Sequence, residues 1–93
     1  MIADTEAAAY PVVVITIPQI RAARALIGWT QADLARASGV SEIAIKNMER
    51  GKTDPRMSTL SAIERAFAEA GVMFLESGDI RTGGPGVRLK DPQ

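Results

Sequence analysis

The spacing of apolar residues changes twice along the chain. Residues 12–17 read VVVITI, an almost continuous run of β-branched residues, which predicts a strand that is apolar on both faces. From residue 20 to residue 67 the apolar positions recur at intervals of three and four, which is typical of amphipathic helices. Residues 72–76 (VMFLE) and 87–90 (VRLK) are again strand-like, and the glycine-rich stretch between them predicts a β-hairpin.

Capping residues and glycines divide the helical part into four short helices. The first follows Pro18, a residue that suits the first position of a helix. N-caps of the second and third helices are expected at Thr30 and Ser41, whereas the fourth could be capped by Asp54, with Pro55, or by Ser58. The four helices are expected to end near Gly28, Gly39, Gly51 and Gly71.

The composition excludes several kinds of chemistry. The 93 residues contain no Cys and no His, which excludes disulfides, thiol nucleophiles, Cys/His zinc sites and imidazole catalysis. No apolar run approaches the ~20 residues of a membrane helix. Asp4 and Glu6 stand where a signal peptide would carry basic residues. We therefore expect a cytoplasmic protein that is not an enzyme, without catalytic residues, metal or cofactor.

Charge is balanced over the whole chain but not along it. Lys and Arg together number 11, as do Asp and Glu. Residues 21–56 nevertheless contain seven basic and four acidic residues, while the segments on either side are net acidic. A surplus this small is typical of an ordinary solvated surface, so the charge alone gives no evidence of general polyanion binding.

Two short helices joined by a turn that contains Gly39 form the helix-turn-helix pattern. In this pattern a small residue, Ala35, faces the partner helix, and Val40, Ile45 and Met48 point back towards the core. A helix of about ten residues fits the ~12 Å major groove of B-DNA. The side chains left pointing outward are those of Glu42, Ile43, Lys46 and Asn47.

The run RAARALIGWTQADLARASGVSEIAIKNMERGKTDP resembles the XRE-type helix-turn-helix domain of the lambdoid phage repressors and Cro. The matching pieces are TQADLA, the G-V-S turn, I-x-x-M-E-R-G-K and the apolar fourth helix, over roughly residues 19–71. The resemblance implies a mainly α fold, a four-helix lambda-repressor-like DNA-binding domain over residues 19–71. Outside the resemblance, we expect an N-terminal arm with a strand over residues 1–18 and a C-terminal β-hairpin and tail over residues 72–93.

The resemblance also implies site residues. The helix over residues 41–50 corresponds to the recognition helix, whose base-reading positions are Glu42, Ile43, Lys46 and Asn47. Asn can bond adenine, Glu can accept from cytosine N4, and an apolar side chain can contact the thymine methyl. Phosphate contacts are expected from helix N-termini and basic side chains, at Arg24, Gln31, Ser41, Arg50 and Lys52. Many relatives carry a neutral residue in place of Glu42, so this carboxylate either raises selectivity or weakens DNA binding.

The leading hypothesis is a transcriptional regulator, specifically a repressor that binds palindromic operator DNA as a homodimer. Residues 12–17 and 72–76 would otherwise be exposed apolar strands, so the homodimer is expected to form through these terminal strands. Pairing between two copies is favoured, and pairing of the N-terminal strand with its own hairpin is the alternative.

A second hypothesis is an antitoxin or anti-activator, a protein-interaction module that binds a toxin or a regulator as its protein partner. The neutral net charge and Glu42 favour it.

Trp29 lies between two predicted helices and is expected in the core rather than as a stacking platform. Arg88 and Lys90 are interpreted as solubilising charges on an edge strand rather than as a DNA-contacting wing.

Overall fold

The computed structural model describes residues 15–78 and 82–91. These residues form four helices followed by an antiparallel hairpin, which confirms the predicted, mainly helical class. In chain order the elements are α1 (Ile17–Ile27), α2 (Gln31–Ser38), α3 (Glu42–Glu49), α4 (Met57–Glu69), β1 (Val72–Leu75) and β2 (Gly86–Leu89). The two strands pair with Val72 opposite Leu89 and Leu75 opposite Gly86.

The predicted N-terminal strand is wrong at its last residues. Thr16 is the N-cap of α1: its hydroxyl accepts a hydrogen bond from the Gln19 N–H at 3.3 Å. The Gln19 side-chain oxygen in turn accepts from the Thr16 N–H at 2.8 Å, which completes a capping box. Ile17 is therefore the first helical residue and Pro18 the second. Residues 12–14 of the predicted strand lie outside the described residues.

The helix-turn-helix unit has the predicted boundaries because its caps are local. The Thr30 hydroxyl accepts from the Asp33 N–H at 3.0 Å, and the Asp33 carboxylate accepts from the Thr30 N–H at 2.9 Å. Ser41 caps α3 by accepting from the Ala44 N–H at 3.1 Å. Between the two helices Gly39 has a φ of 80°, a left-handed conformation that a side chain would strain.

The start of α4 differs from both predictions. The helix begins at Met57, with Arg56 in the N-cap position and no side chain bonded to the first turn. Neither Asp54 nor Ser58 caps it, since one precedes the N-cap by two residues and the other is already helical. No side-chain signal therefore marks the start of α4, whose buried residues are Leu60, Ile63, Ala66 and Phe67. The hairpin strands also differ slightly from the prediction. β1 ends one residue earlier than predicted, and β2 both begins and ends one residue earlier.

One apolar core joins all six elements. Ile20, Leu34, Ile45 and Ile63 are fully buried, and Phe67 lies at the centre of an aromatic group. The ring of Trp29 stacks on Phe67 with centroids 5.3 Å apart, and Phe74 of β1 meets Phe67 edge-on at 5.6 Å. Trp29 is half-buried against this core, which confirms the prediction made for it.

Gln19 is the one buried polar residue among the described residues, and it connects α1 to the hairpin. Its side-chain amide donates to the Leu75 carbonyl at 3.1 Å and to the Gly86 carbonyl at 2.9 Å. These two carbonyls belong to residues that face each other across the sheet. A single amide therefore holds the start of α1 against the paired ends of β1 and β2.

We expect Gln19→Ala to lower the free energy of unfolding by about 2 kcal/mol, because it removes both hydrogen bonds that join α1 to the hairpin and the packing of a buried side chain. Urea denaturation followed by circular dichroism measures this change. Arg65→Ala is the control, since Arg65 is exposed on α4 and makes no hydrogen bond to the hairpin, and its effect should stay within about 0.5 kcal/mol. Equal losses for the two variants would contradict the role given to Gln19.

Candidate nucleic-acid interface

Helix α3 buries one side and exposes the other. Ile45 is fully buried and Met48 is 2% exposed, whereas Ile43 is 69% exposed. Glu42 and Lys46 are exposed and Asn47 is half-buried. Because residues three and four apart share a helix face, the four predicted base-reading residues lie on the side of α3 that faces away from the core.

The inner side of α3 packs as the sequence predicts. Ala35 of α2 and Val40 of the turn are half-buried and contact the core that contains Ile45 and Met48. The helix contacts α2 and α1, whereas the hairpin packs on α1 and α4. Arg88 and Lys90 are exposed on or next to β2. The hairpin and α3 therefore rest on different parts of the helical body.

The last residue of α3, Glu49, is bound by two other helices. Arg24 of α1 donates from Nε to Oε2 at 2.8 Å and from Nη2 to Oε1 at 2.7 Å, a bidentate pair. Gln31, the first residue of α2, donates from Nε2 to Oε1 at 3.0 Å. The side chain of Glu49 is 5% exposed, and the Arg24 Nη1 also donates to the Trp29 carbonyl at 3.0 Å.

The electrostatics of this cluster favour the charged forms of both groups. Burial opposes ionisation of Glu49, but the hydrogen bonds from Arg24 and Gln31 and the positive charges of Arg24 and Arg21 together hold its pKa below the ordinary value. The hydrogen bonds to Glu49 raise the pKa of Arg24, although burial acts in the opposite direction. The pair is therefore a permanent ionic connection at neutral pH.

Two of the predicted phosphate-binding residues belong to this cluster. Arg24 and Gln31 direct side-chain donors at Glu49, inside the body, which is a positioning role that the sequence reasoning missed. Phosphate contact by either residue stays a prediction. A signal was present in the sequence: Glu49 lies four residues after Ile45 and next to Met48, on the buried side of α3.

The other predicted phosphate-binding residues lie at the two ends of α3. Ser41 is exposed at the N-terminus, where its hydroxyl is used as the cap. Arg50 and Lys52 are exposed just after the helix. The backbone there is fixed, because the Lys52 N–H donates to the Asn47 carbonyl at 2.9 Å and Gly51 has a φ of 76°. The structure thus places basic side chains at one end of the exposed side of α3 and a helix N-terminus at the other.

Neither a metal-binding cluster nor a membrane-spanning helix is found in the part of the chain that the structure describes. Residues 15–78 and 82–91 contain no group of three or more Asp or Glu side chains placed to hold a metal ion. No helix in these ranges has the length and apolar character required to cross a bilayer.

Comparison with known proteins gives a family match and several relatives. Residues 20–69 match the family model HTH_3, described as helix-turn-helix. Uncharacterised HTH-type transcriptional regulators of Mycobacterium bovis and Mycobacterium tuberculosis are 44% identical to this chain over 48 residues. The matched stretch is 52% of this chain but 19% of each relative, so the similarity extends over about a fifth of those longer proteins.

The Glu49 cluster predicts acid sensitivity. A lowered pKa in the folded state means that this stabilisation is fully present above the unfolded value of about 4.5 and is lost as the pH falls through the folded value. Asp33 acts in the same direction, since the hydrogen bonds from Thr30 lower its pKa. We expect the free energy of unfolding, measured with urea between pH 7 and pH 3, to fall most steeply below about pH 4.5.

Glu49→Gln should lower the free energy of unfolding at pH 7 by about 2 kcal/mol, because it weakens the bonds to Arg24 and Gln31. It should also flatten the fall in stability below about pH 4.5, because the variant has no carboxylate to protonate. Glu69→Gln, at an exposed position at the end of α4, is the matched control and should retain the slope. An unchanged acid slope in Glu49→Gln would show that the cluster does not determine the acid response.

Proposed function

Because the chain belongs to the HTH_3 helix-turn-helix family, we propose that it is a transcriptional regulator that binds specific double-stranded DNA. The observation that carries the proposal is the exposed side of α3, where Ile43 is 69% exposed although the adjacent side of the helix is fully buried. An isolated, exposed isoleucine among polar side chains suits a surface that contacts base edges and thymine methyl groups.

The proposed base contacts follow from the chemistry of the outward side chains. The Asn47 amide can donate to and accept from adenine, and Ile43 can contact a thymine methyl. Glu42 can accept from cytosine N4 but is repelled by phosphate, so it favours sites that place a cytosine against it. Lys46, one turn from Glu42 and from Arg50, donates to guanine or to the backbone. Together these side chains account for selectivity without a strongly basic surface.

Phosphate contacts are proposed at the ends of α3. Arg50 and Lys52 are exposed cations on a turn fixed by backbone hydrogen bonds. The Ser41 hydroxyl accepts from the Ala44 N–H, and the N–H groups of Glu42 and Ile43 in the same first turn are the ones proposed to meet phosphate, because the helix dipole favours an anion there. Arg24 and Gln31 contribute mainly by holding Glu49, and through it the end of α3, at a fixed angle.

A repressor that binds a palindromic operator as a homodimer is the form of regulator that we propose. Occluding a promoter needs no catalytic group, which suits a chain without Cys or His. In a two-fold dimer the recognition helices would lie ~34 Å apart in successive major grooves. The hairpin is the proposed contact between copies, because it packs away from α3 and exposes 39% of Met73 on its outer face.

Selection of bound fragments from a random DNA pool tests the regulator proposal. We expect one selected palindrome and an affinity that falls steeply with salt. Asn47→Ala should weaken binding to the selected sequence by about 1–3 kcal/mol and relax the base preference at one position of each half-site. Lys52→Ala should weaken binding to all DNA sequences equally. It should also reduce the slope of log affinity against log salt concentration by about one.

Arg65→Ala is the control for lost positive charge, since Arg65 is exposed on α4 rather than on α3 or its flanking turns. The Arg65→Ala variant should bind the selected DNA with the same affinity as the parent protein. A pool without a selected sequence would contradict the regulator proposal and favour the alternative, an antitoxin-like module that binds a protein.

The homodimer is tested separately by sedimentation velocity. Met73→Glu places a charge on the outer face of the hairpin and should convert dimers to monomers, with loss of palindrome affinity. Met57→Glu is the matched control, because Met57 is 51% exposed at the start of α4 and should leave the dimer intact. A parent protein that is monomeric at every concentration would contradict the homodimer.

A further inference from the structure

Two arginines stand one turn apart on α1, and the structure gives them different surroundings. The Arg24 side chain is 20% exposed, and its N–H groups are bonded to both oxygens of Glu49 and to the Trp29 carbonyl. A contact between Arg24 and a DNA phosphate would therefore compete with a bidentate ion pair inside the body. The geometry makes Arg24 a poor donor to an anion that arrives from outside.

Arg21 lies on the solvent side of the same helix. Three residues turn an α-helix by about 300°, so Arg21 is rotated about 60° from Arg24, further from the buried Ile20 and Ala23. Arg21 is exposed, and it makes no hydrogen bond or ion pair with residues 15–78 or 82–91. A guanidinium has five N–H donors. None of those of Arg21 is used by the part of the chain that the structure describes.

The charge of Arg21 acts at the C-terminal end of α3. It is one of the positive charges that hold the pKa of Glu49 below the ordinary value. Both Glu49 oxygens are already bonded to Arg24, and this carboxylate is 5% exposed. Arg50 and Lys52, which are exposed, follow Glu49 in the chain. Exposed cations from α1 and from the turn after α3 therefore lie at the same end of α3, and the carboxylate beside them is inside the body.

The acidic residue of α2 does not neutralise these cations either. Asp33 accepts a hydrogen bond from the Thr30 N–H at 2.9 Å and forms an ion pair with Arg36 at 2.5 Å. A chain with no net charge depends on a few well-placed cations to bind phosphate. An anion supplied from outside would complete the contacts that Arg21 lacks.

We propose that Arg21 binds a backbone phosphate of the DNA that α3 reads. This inference rests on the proposed function and adds a residue of α1 to the contacts proposed at the ends of α3. Phosphate contacts set the register and orientation of a protein on the duplex. Because the ion pair of Arg24 with Glu49 joins α1 to the end of α3, a phosphate held by Arg21 fixes how α3 enters the groove. Arg21 is thus a positioning residue for base recognition.

A salt series with the selected DNA tests the role of Arg21. Arg21→Gln should weaken binding at 50 mM salt by at least about tenfold and reduce the slope of log affinity against log salt concentration by about one for each half-site. Arg21→Lys retains the charge and should restore the slope of the parent protein. Arg65→Gln is the matched control, since Arg65 is an exposed arginine on α4 and the same charge is lost. Its slope should equal that of the parent.

Neutral phosphate analogues locate the contact on the DNA. Each phosphate of a half-site is replaced in turn by a methylphosphonate, which carries no charge. At one position the replacement should weaken binding of the parent protein and of Arg65→Gln but have no effect on binding of Arg21→Gln. The loss of the arginine and the loss of the phosphate charge should not add at this position, because they remove the same interaction.

The outcomes separate this inference from the proposed function. A parent protein that selects no DNA sequence would overturn both. Selection of a sequence by the parent, together with an unchanged slope and an unchanged methylphosphonate pattern in Arg21→Gln, would overturn the role of Arg21 alone. Urea unfolding of the same variant identifies a purely structural role: lower stability with the parent's salt slope would mean that Arg21 only supports Glu49, which would also overturn the proposal.

Discussion

The hydrogen bonds between Glu49 and its partners on α1 and α2 are the constraint on which the position of α3 depends. A helix of eight residues is too short to be stable alone, so its orientation comes from what it packs against. The apolar contacts of Ile45 and Met48 hold it to the core, but such contacts are not directional. The bidentate Arg24 pair and the Gln31 amide fix its C-terminal end, because their geometry is directional.

Helix α1 connects α3 to the hairpin. Arg24 holds α3, while Gln19, near the other end of the same helix, holds the paired strands of the hairpin. A body of this size buries a limited apolar area, so each directional polar contact is a large share of its stability. The arrangement separates the proposed DNA-binding side, built on α3, from the hairpin, which packs on α1 and α4. Contacts to DNA and contacts at the hairpin can therefore change independently.

Local chemistry made most of the fold predictable. The boundaries of α2 and α3 follow from the Thr30 capping box, Gly39 and the Ser41 cap, all of which act within four residues. The outward set on α3 follows from helical periodicity in the same way. Where a local signal was ambiguous the prediction was wrong: residues 15–17 have strand-forming side chains, yet Thr16 and Gln19 start a helix there. The start of α4, which has no side-chain cap, is another such case.

Contacts between distant residues were not predictable, because a sequence pattern gives the face of a residue but not its partner. Glu49 lies 25 residues from Arg24 and 18 from Gln31, and Gln19 lies 56 residues from Leu75. Only packing of the helices brings these groups within hydrogen-bond distance. The sequence by itself thus determined the number and type of the described helices, the boundaries and caps of α2 and α3, and the exposed side of α3. The tertiary structure decided which polar side chains are held inside the body, because burial removes water and leaves each of them dependent on hydrogen bonds to residues distant in the sequence.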